Sequence, residues 1–175
     1  CVGDNTMAGV TGLNWKISVD IDDGGSEDWQ VLHSLNLGKV PGKVWGEADF
    51  VVLGTQGIFC LEVKGGGIRY ENGMWVFINR SGKETRKHEG PFEQAKTANF
   101  AILDHVQEKT QDIILPLFGF GVLTPRINFD VDHPDVVREI LYDASNVDET
   151  MDAYLRRITT YWKGKLKNIR PVPPN

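Results

Sequence analysis

Cysteine is nearly absent from these 175 residues, with Cys1 and Cys60 the whole complement. Two thiols build neither a disulfide framework nor a four-cysteine zinc cage, so a reducing, intracellular setting is the simpler expectation. The four histidines, His33, His88, His105 and His133, are scattered without metal-ligand spacing, which argues against zinc. Long apolar runs are missing as well. The longest uncharged apolar stretch, Ile113 to Leu123, has 11 residues and contains Pro116, well short of the roughly 17 to 25 that cross a bilayer. No basic start followed by an apolar core opens the sequence. A cytoplasmic protein with no membrane partner is expected. Positive charge is not in excess either: 19 Lys and Arg stand against 24 Asp and Glu, for a net charge of −5. Uniform attraction to a polyanion is therefore excluded, and any nucleic-acid site must be a local basic patch. Gly65 to Gly67 is not followed by Gly-Lys-Ser/Thr, so it does not read as a nucleotide-binding loop.

What is present is the composition of a folded domain. Hydrophobic residues make up 41% and 19 glycines bring the apolar share to about half. One domain over residues 1–170 with a single core is expected, with the closing PVPPN at 171–175 reading as a linker. Met7, Val10, Leu13 or Asn14, and Ile17 recur at helical spacing after a cap at Asp4 or Asn5 and predict a first helix, followed by an acidic loop over SVDIDDGGSEDW. From Val31 the period becomes two. VLHSLNL, EADFVVL, IFCLEVK and MWVFIN read as an antiparallel meander, with ENG turning the chain before Met74. The polar RSGKETRKHEG follows. Gly90-Pro91 then opens a helix whose stripe is Phe92, Ala95, Ala98, Ile102 and Val106. IILPLFGFGVL and REILYD read as further strands, and Asn146 to Trp162 as an amphipathic closing helix.

The informative step is the hairpin of EADFVVL and IFCLEVK across GTQG. Symmetric closure sets Leu53 opposite Ile58; counting back sets Asp49 opposite Glu62, and Glu47 opposite Lys64. Alternation sends these polar residues to one face, while Phe50, Val52, Phe59, Leu61 and Val63 line the other, taken as the core face. Two opposed carboxylates repel unless something lies between them, and a divalent cation is the simplest answer. Oxygen donors that leave positions for water and phosphate suit Mg²⁺ or Mn²⁺. Lys64, two residues past Glu62 on the same face, sits where it would act on a water or a phosphate.

The segments GEADFVVLGTQGIFCLEVKGG, GMWVF and GPFEQAKTAN, taken in order, resemble the nuclease-related domain (NERD) family, a branch of the PD-(D/E)xK phosphodiesterase superfamily. The resemblance covers roughly Val31 to Val106, and more loosely FGFGVL to LYDASNV. It implies an α/β, restriction-endonuclease-like fold with a central mixed sheet flanked by helices. It implies metal binding by Asp49 and Glu62, with the Val63 carbonyl as a further ligand, and service of the attacking water by Lys64. Glu47 belongs to the usual signature, and Gln94 on the following helix completes the site. An acid on the first helix often accompanies this site; here only Asp4 is available. Such domains often precede a superfamily 1 helicase.

The expected activity is therefore Mg²⁺- or Mn²⁺-dependent cleavage of DNA, with a helicase domain as partner in the same protein. Arg80, Lys83, Arg86 and Lys87 form the most basic segment and are candidates for contacting the nucleic-acid backbone. The alternative is a catalytically weak or silent nucleic-acid-binding or docking module with the same fold.

Overall fold

The computed structural model describes residues 14–20, 26–40, 43–109 and 116–167. Four strands come first, β1 (Asn14–Asp20), β2 (Ser26–Val40), β3 (Lys43–Gly54) and β4 (Gly57–Val63), each antiparallel to the one before. A separate antiparallel sheet follows, made of β5 (Gly67–Glu71), β6 (Met74–Ile78) and β7 (Glu84–Lys87). Helix α1 (Pro91–Lys109) leads to β8 (Phe118–Thr124), which returns parallel to β4, and the short β9 (Leu141–Asp143) lies parallel to β8. Helix α2 (Met151–Lys167) closes the described chain. The main sheet has six strands in the order β1-β2-β3-β4-β8-β9. A mixed sheet flanked by helices is the α/β architecture expected, consistent with a restriction-endonuclease-like fold.

Turn chemistry sets the two hairpins. Gly54 pairs with Gly57, leaving Thr55 and Gln56 at the tip. Gly57 has φ +154°, and a Cβ there would collide with the Leu117 carbonyl, so only glycine closes this turn against β8. Asn72 and Gly73 both take positive φ, the backbone a tight hairpin needs between β5 and β6.

The sheet is buried on both faces, not one. Phe50, Val52, Phe59 and Leu61 pack in the larger core with Tyr154, Leu155 and Ile158 of α2. Val51 and Cys60, on the face that carries Glu62, pack against Ala98 and Ile102 of α1. The alternation of FGFGV in β8 has a direct purpose: a side chain at Gly119 would strike Trp162, and one at Gly121 would strike the Tyr154 hydroxyl. Those two rings anchor α2 by donating to main-chain carbonyls, Trp162 Nε1 to Phe120 and Tyr154 Oη to Ile140, each at 2.9 Å.

Six sequence expectations change. MWVFIN, read as the last strand of one meander, lies in the separate small sheet as β6, and Arg138 to Ile140, read as strand, form a 3-10 turn ahead of the short β9. Asn14 to Ile17, assigned to a first helix, belong to β1, because pairing along β2 outweighs a spacing that fits either structure; Met7, Val10 and Asp4 lie outside the described residues. The acidic loop is shorter than expected, since β2 starts at Ser26. The stretch after Asn79 contains β7, held by pairing with β6 despite its polarity. The closing helix starts at Met151 rather than Asn146: Asn146 is held in a tight turn with Asp143, and the Thr150 hydroxyl accepts the Ala153 N–H at 3.2 Å as a cap.

Candidate active site at the carboxyl end of β4

Strand β4, helix α1 and parallel strand β8 form a crossover, in which the helix runs back against the strands. Its start therefore lies beside the carboxyl ends of β4 and β8, where open α/β sheets hold their ligands. The packing agrees: Phe92 and Ala95 share a cluster with Trp75, Leu123 and Phe129, whereas Val106 packs with Ile58 and Phe118 at the opposite strand ends. Glu62 and Val63 end β4, Lys64 follows directly, and Gln94 stands in the first turn of α1.

Three of the sequence-predicted residues come together here. Leu53 faces Ile58 as expected, but the β3–β4 ladder stops at Phe50 and Leu61 and does not reach the pairing of Asp49 with Glu62. Instead the strands part, and Asp49 Oδ2 accepts the Val63 N–H at 2.8 Å. Glu62 is only 7% exposed. Its carboxylate is ion-paired with the half-buried Lys64 ammonium, which also lies 5.5 Å from the centre of the Phe77 ring. Burial pushes the Glu62 carboxyl above its ordinary range, and the charges of Asp49 and Glu89 push the same way while Lys64 opposes them. Among the described residues no group of three or more His, Cys, Asp and Glu has metal-holding geometry, so the acidic donors are this pair.

The remaining candidates separate. Glu47 is exposed and pairs with Asn36 of β2, not with Lys64, because β3 has left β4 by that point. Gln94 is half-buried, its N–H bonded to the Gly90 carbonyl at 3.0 Å as α1 begins. Arg86 is tied to Glu71 at 2.6 Å within a network with Arg69 and Glu84, where the hydrogen bonds to Glu84 and then Glu71 hold the Arg69 guanidinium more firmly protonated. Lys87 projects to the other face of β7, its ammonium 5.9 Å from the centre of Phe77, the ring that Lys64 also approaches. Arg80 and Lys83 are exposed around the β6–β7 turn. Sequence reasoning missed Glu89 and Phe77; the available signal for Glu89 was an acid directly ahead of the Gly90-Pro91 helix entry.

No curated protein and no solved structure matches this chain. A family profile does, over residues 16–124, from β1 through the last residue of β8, which is more than half of the chain and includes the whole Asp49, Glu62 and Lys64 arrangement. On that match, the chain belongs to the nuclease-related domain (NERD) family.

Proposed function

We propose that this domain is a Mg²⁺- or Mn²⁺-dependent phosphodiesterase acting on DNA. The observation that carries the reading is Glu62, a buried carboxyl pushed above its ordinary range at a strand end that also holds Asp49 and Lys64. A structural surface acid has no need of that burial.

The donor chemistry fits the cation. Mg²⁺ takes one or two protein carboxylates together with waters and substrate phosphate. Asp49 and Glu62 provide the carboxylates. A strand residue directs its N–H and C=O to the same side, so the Val63 carbonyl opens toward Asp49, which already receives the Val63 N–H. These three residues would hold the ion, which when bound supplies Lewis-acid polarisation of a phosphoryl oxygen.

The chain's own groups do the rest. Lys64 directs its ammonium protons at the attacking water and offsets negative charge gathering on the phosphate. Gln94 offers an amide donor beside the first-turn N–H groups of α1, whose partial positive charge favours a phosphate oxygen. Lys87, Arg80 and Lys83 contact the DNA backbone, with a smaller part for Arg86, and Glu47 stands at the outer margin as a carboxylate of the family signature. In its full-length setting the domain works in the cytoplasm with a helicase domain of the same protein.

Cleavage of labelled single- and double-stranded DNA with Mg²⁺ or Mn²⁺ tests this, comparing the parent with Asp49→Ala and Lys64→Ala. Each substitution is expected to lower the rate by about 100-fold or more. A parent as inactive as its variants, with DNA binding retained, would instead assign a binding or docking module.

A further inference from the structure

Among the described residues, four buried side-chain atoms have no hydrogen-bond partner: Trp29 Nε1, Asn99 Oδ1, Thr124 Oγ1 and Asp152 Oδ1. Asp152 is held through its other oxygen by Arg156 at 2.9 Å, Trp29 lies on β2, and Asn99 lies beyond the first turn of α1. Thr124 alone stands at the strand ends that carry the site. It is 0% exposed and is the last residue of β8.

Its place relative to Lys64 follows from register. Val63 pairs with Leu123, and the Lys64 N–H donates to the Leu123 carbonyl at 2.8 Å, carrying the parallel pairing one residue further. Thr124 is thus the lateral neighbour of Lys64, one strand spacing of about 4.8 Å away. Val122 pairs with Glu62, and alternation sets Thr124 on that same face, with Val122, Glu62 and Lys64. Valine would fill the Thr124 volume without a stranded hydroxyl, so the polar atom calls for a use.

We infer that Thr124 is a positioning residue for Lys64, its hydroxyl accepting a hydrogen bond from the ε-ammonium in the working arrangement. This rests on the phosphodiesterase reading above. An ammonium has three N–H donors. In the arrangement seen, Glu62 takes one of them. When Glu62 turns its carboxylate toward a cation, Lys64 needs another acceptor to keep its direction. Thr124 supplies one on the same face, shielded from water. The assignment extends the site from β3 and β4 to a third strand, β8.

Thr124→Val and Thr124→Ser test it through steady-state cleavage of labelled DNA with Mg²⁺ and through thermal unfolding. The valine variant is expected to melt at or above the parent temperature, since no bond of the resting fold is lost. Its kcat falls about tenfold with KM unchanged, the effect of losing one hydrogen bond to a charged group. Serine restores most of kcat. Parent-like kcat in Thr124→Val overturns the inference, as does a joint loss of kcat and melting temperature that serine does not repair. A parent that fails to cleave overturns the underlying reading and this inference with it, whereas an active parent with an equally active valine variant overturns this inference alone.

Discussion

Asp49 Oδ2 takes the Val63 N–H at 2.8 Å, the donor that would reach the Ala48 carbonyl if the β3–β4 ladder continued beyond Phe50 and Leu61. One carboxylate oxygen thus covers a main-chain group left without its ladder partner where the strands part, and in the proposed reading the other oxygen serves as a metal ligand. These roles separate under substitution. Asp49→Ala leaves the N–H unpaired and costs about 1 kcal/mol of stability, while Asp49→Asn keeps an acceptor and stays within about 0.5 kcal/mol of the parent. Both are expected to lose Mn²⁺ affinity under the proposed metal-binding role of Asp49. Urea unfolding without divalent cation, beside calorimetric Mn²⁺ titration, reads the two effects; equal destabilisation by Asn and Ala would contradict the hydrogen-bonding role.

Glu62 makes metal-free stability depend on pH in a defined direction. Burial first, then the charges of Asp49 and Glu89, raise its carboxyl above the ordinary 4.5. In the window from 4.5 up to that raised value the folded protein keeps a proton that the unfolded chain releases, so stability falls as pH rises and levels off above it. Glu62→Gln is expected to flatten this slope and Glu89→Gln to reduce it. Urea midpoints measured across this pH range check both, and an unchanged slope in Glu62→Gln would place the titrating group elsewhere.

The hairpin and its partner helix were legible in the sequence because each rests on one strong local pattern: period two closing on GTQG, and the stripe from Phe92 to Val106. Where the ladder ends was not legible, since alternation reports which face a residue takes and not where two strands separate. That is why Asp49 was expected directly opposite Glu62 but bonds to Val63. The burial of both faces escaped for a related reason: Val51 and Cys60 share their face with the charged Asp49 and Glu62, and only the return of α1 over them shows that this face is covered. Strand β7 is four polar residues long, and its pairing with β6 is a tertiary fact.

Gly121 tests how α2 is seated. A methyl group there would strike the Tyr154 hydroxyl and lie 3.2 Å from the Ile140 carbonyl, to which that hydroxyl donates. Gly121→Ala is expected to destabilise by about 1–3 kcal/mol. Combining it with Tyr154→Phe removes the struck atom, so the two changes cost less together than their sum. Thermal or urea unfolding of the double-mutant cycle measures the coupling, and strict additivity would mean that the two residues do not meet.

Lys87 and Arg86 are adjacent in β7, yet their surroundings predict unequal parts in DNA binding. Arg86 is engaged with Glu71 and Glu84 on the solvent side of the small sheet, so its charge is already compensated. Lys87 lies on the opposite face, over the Phe77 ring that Lys64 also approaches, which brings its charge toward the strand end that carries Glu62 and Lys64. Lys87→Ala is therefore expected to weaken DNA binding severalfold and to reduce the slope of log affinity against log salt by about one. Arg86→Ala should change the slope less, because its cation is already paired with the Glu71 and Glu84 carboxylates and neutralises less phosphate charge. Fluorescence anisotropy with labelled DNA across a salt series, with Ca²⁺ replacing Mg²⁺, separates the two. If Arg86→Ala lowered the slope as much as Lys87→Ala, the outer face of the small sheet would be the DNA-binding face, and the path toward Lys64 would have to be redrawn.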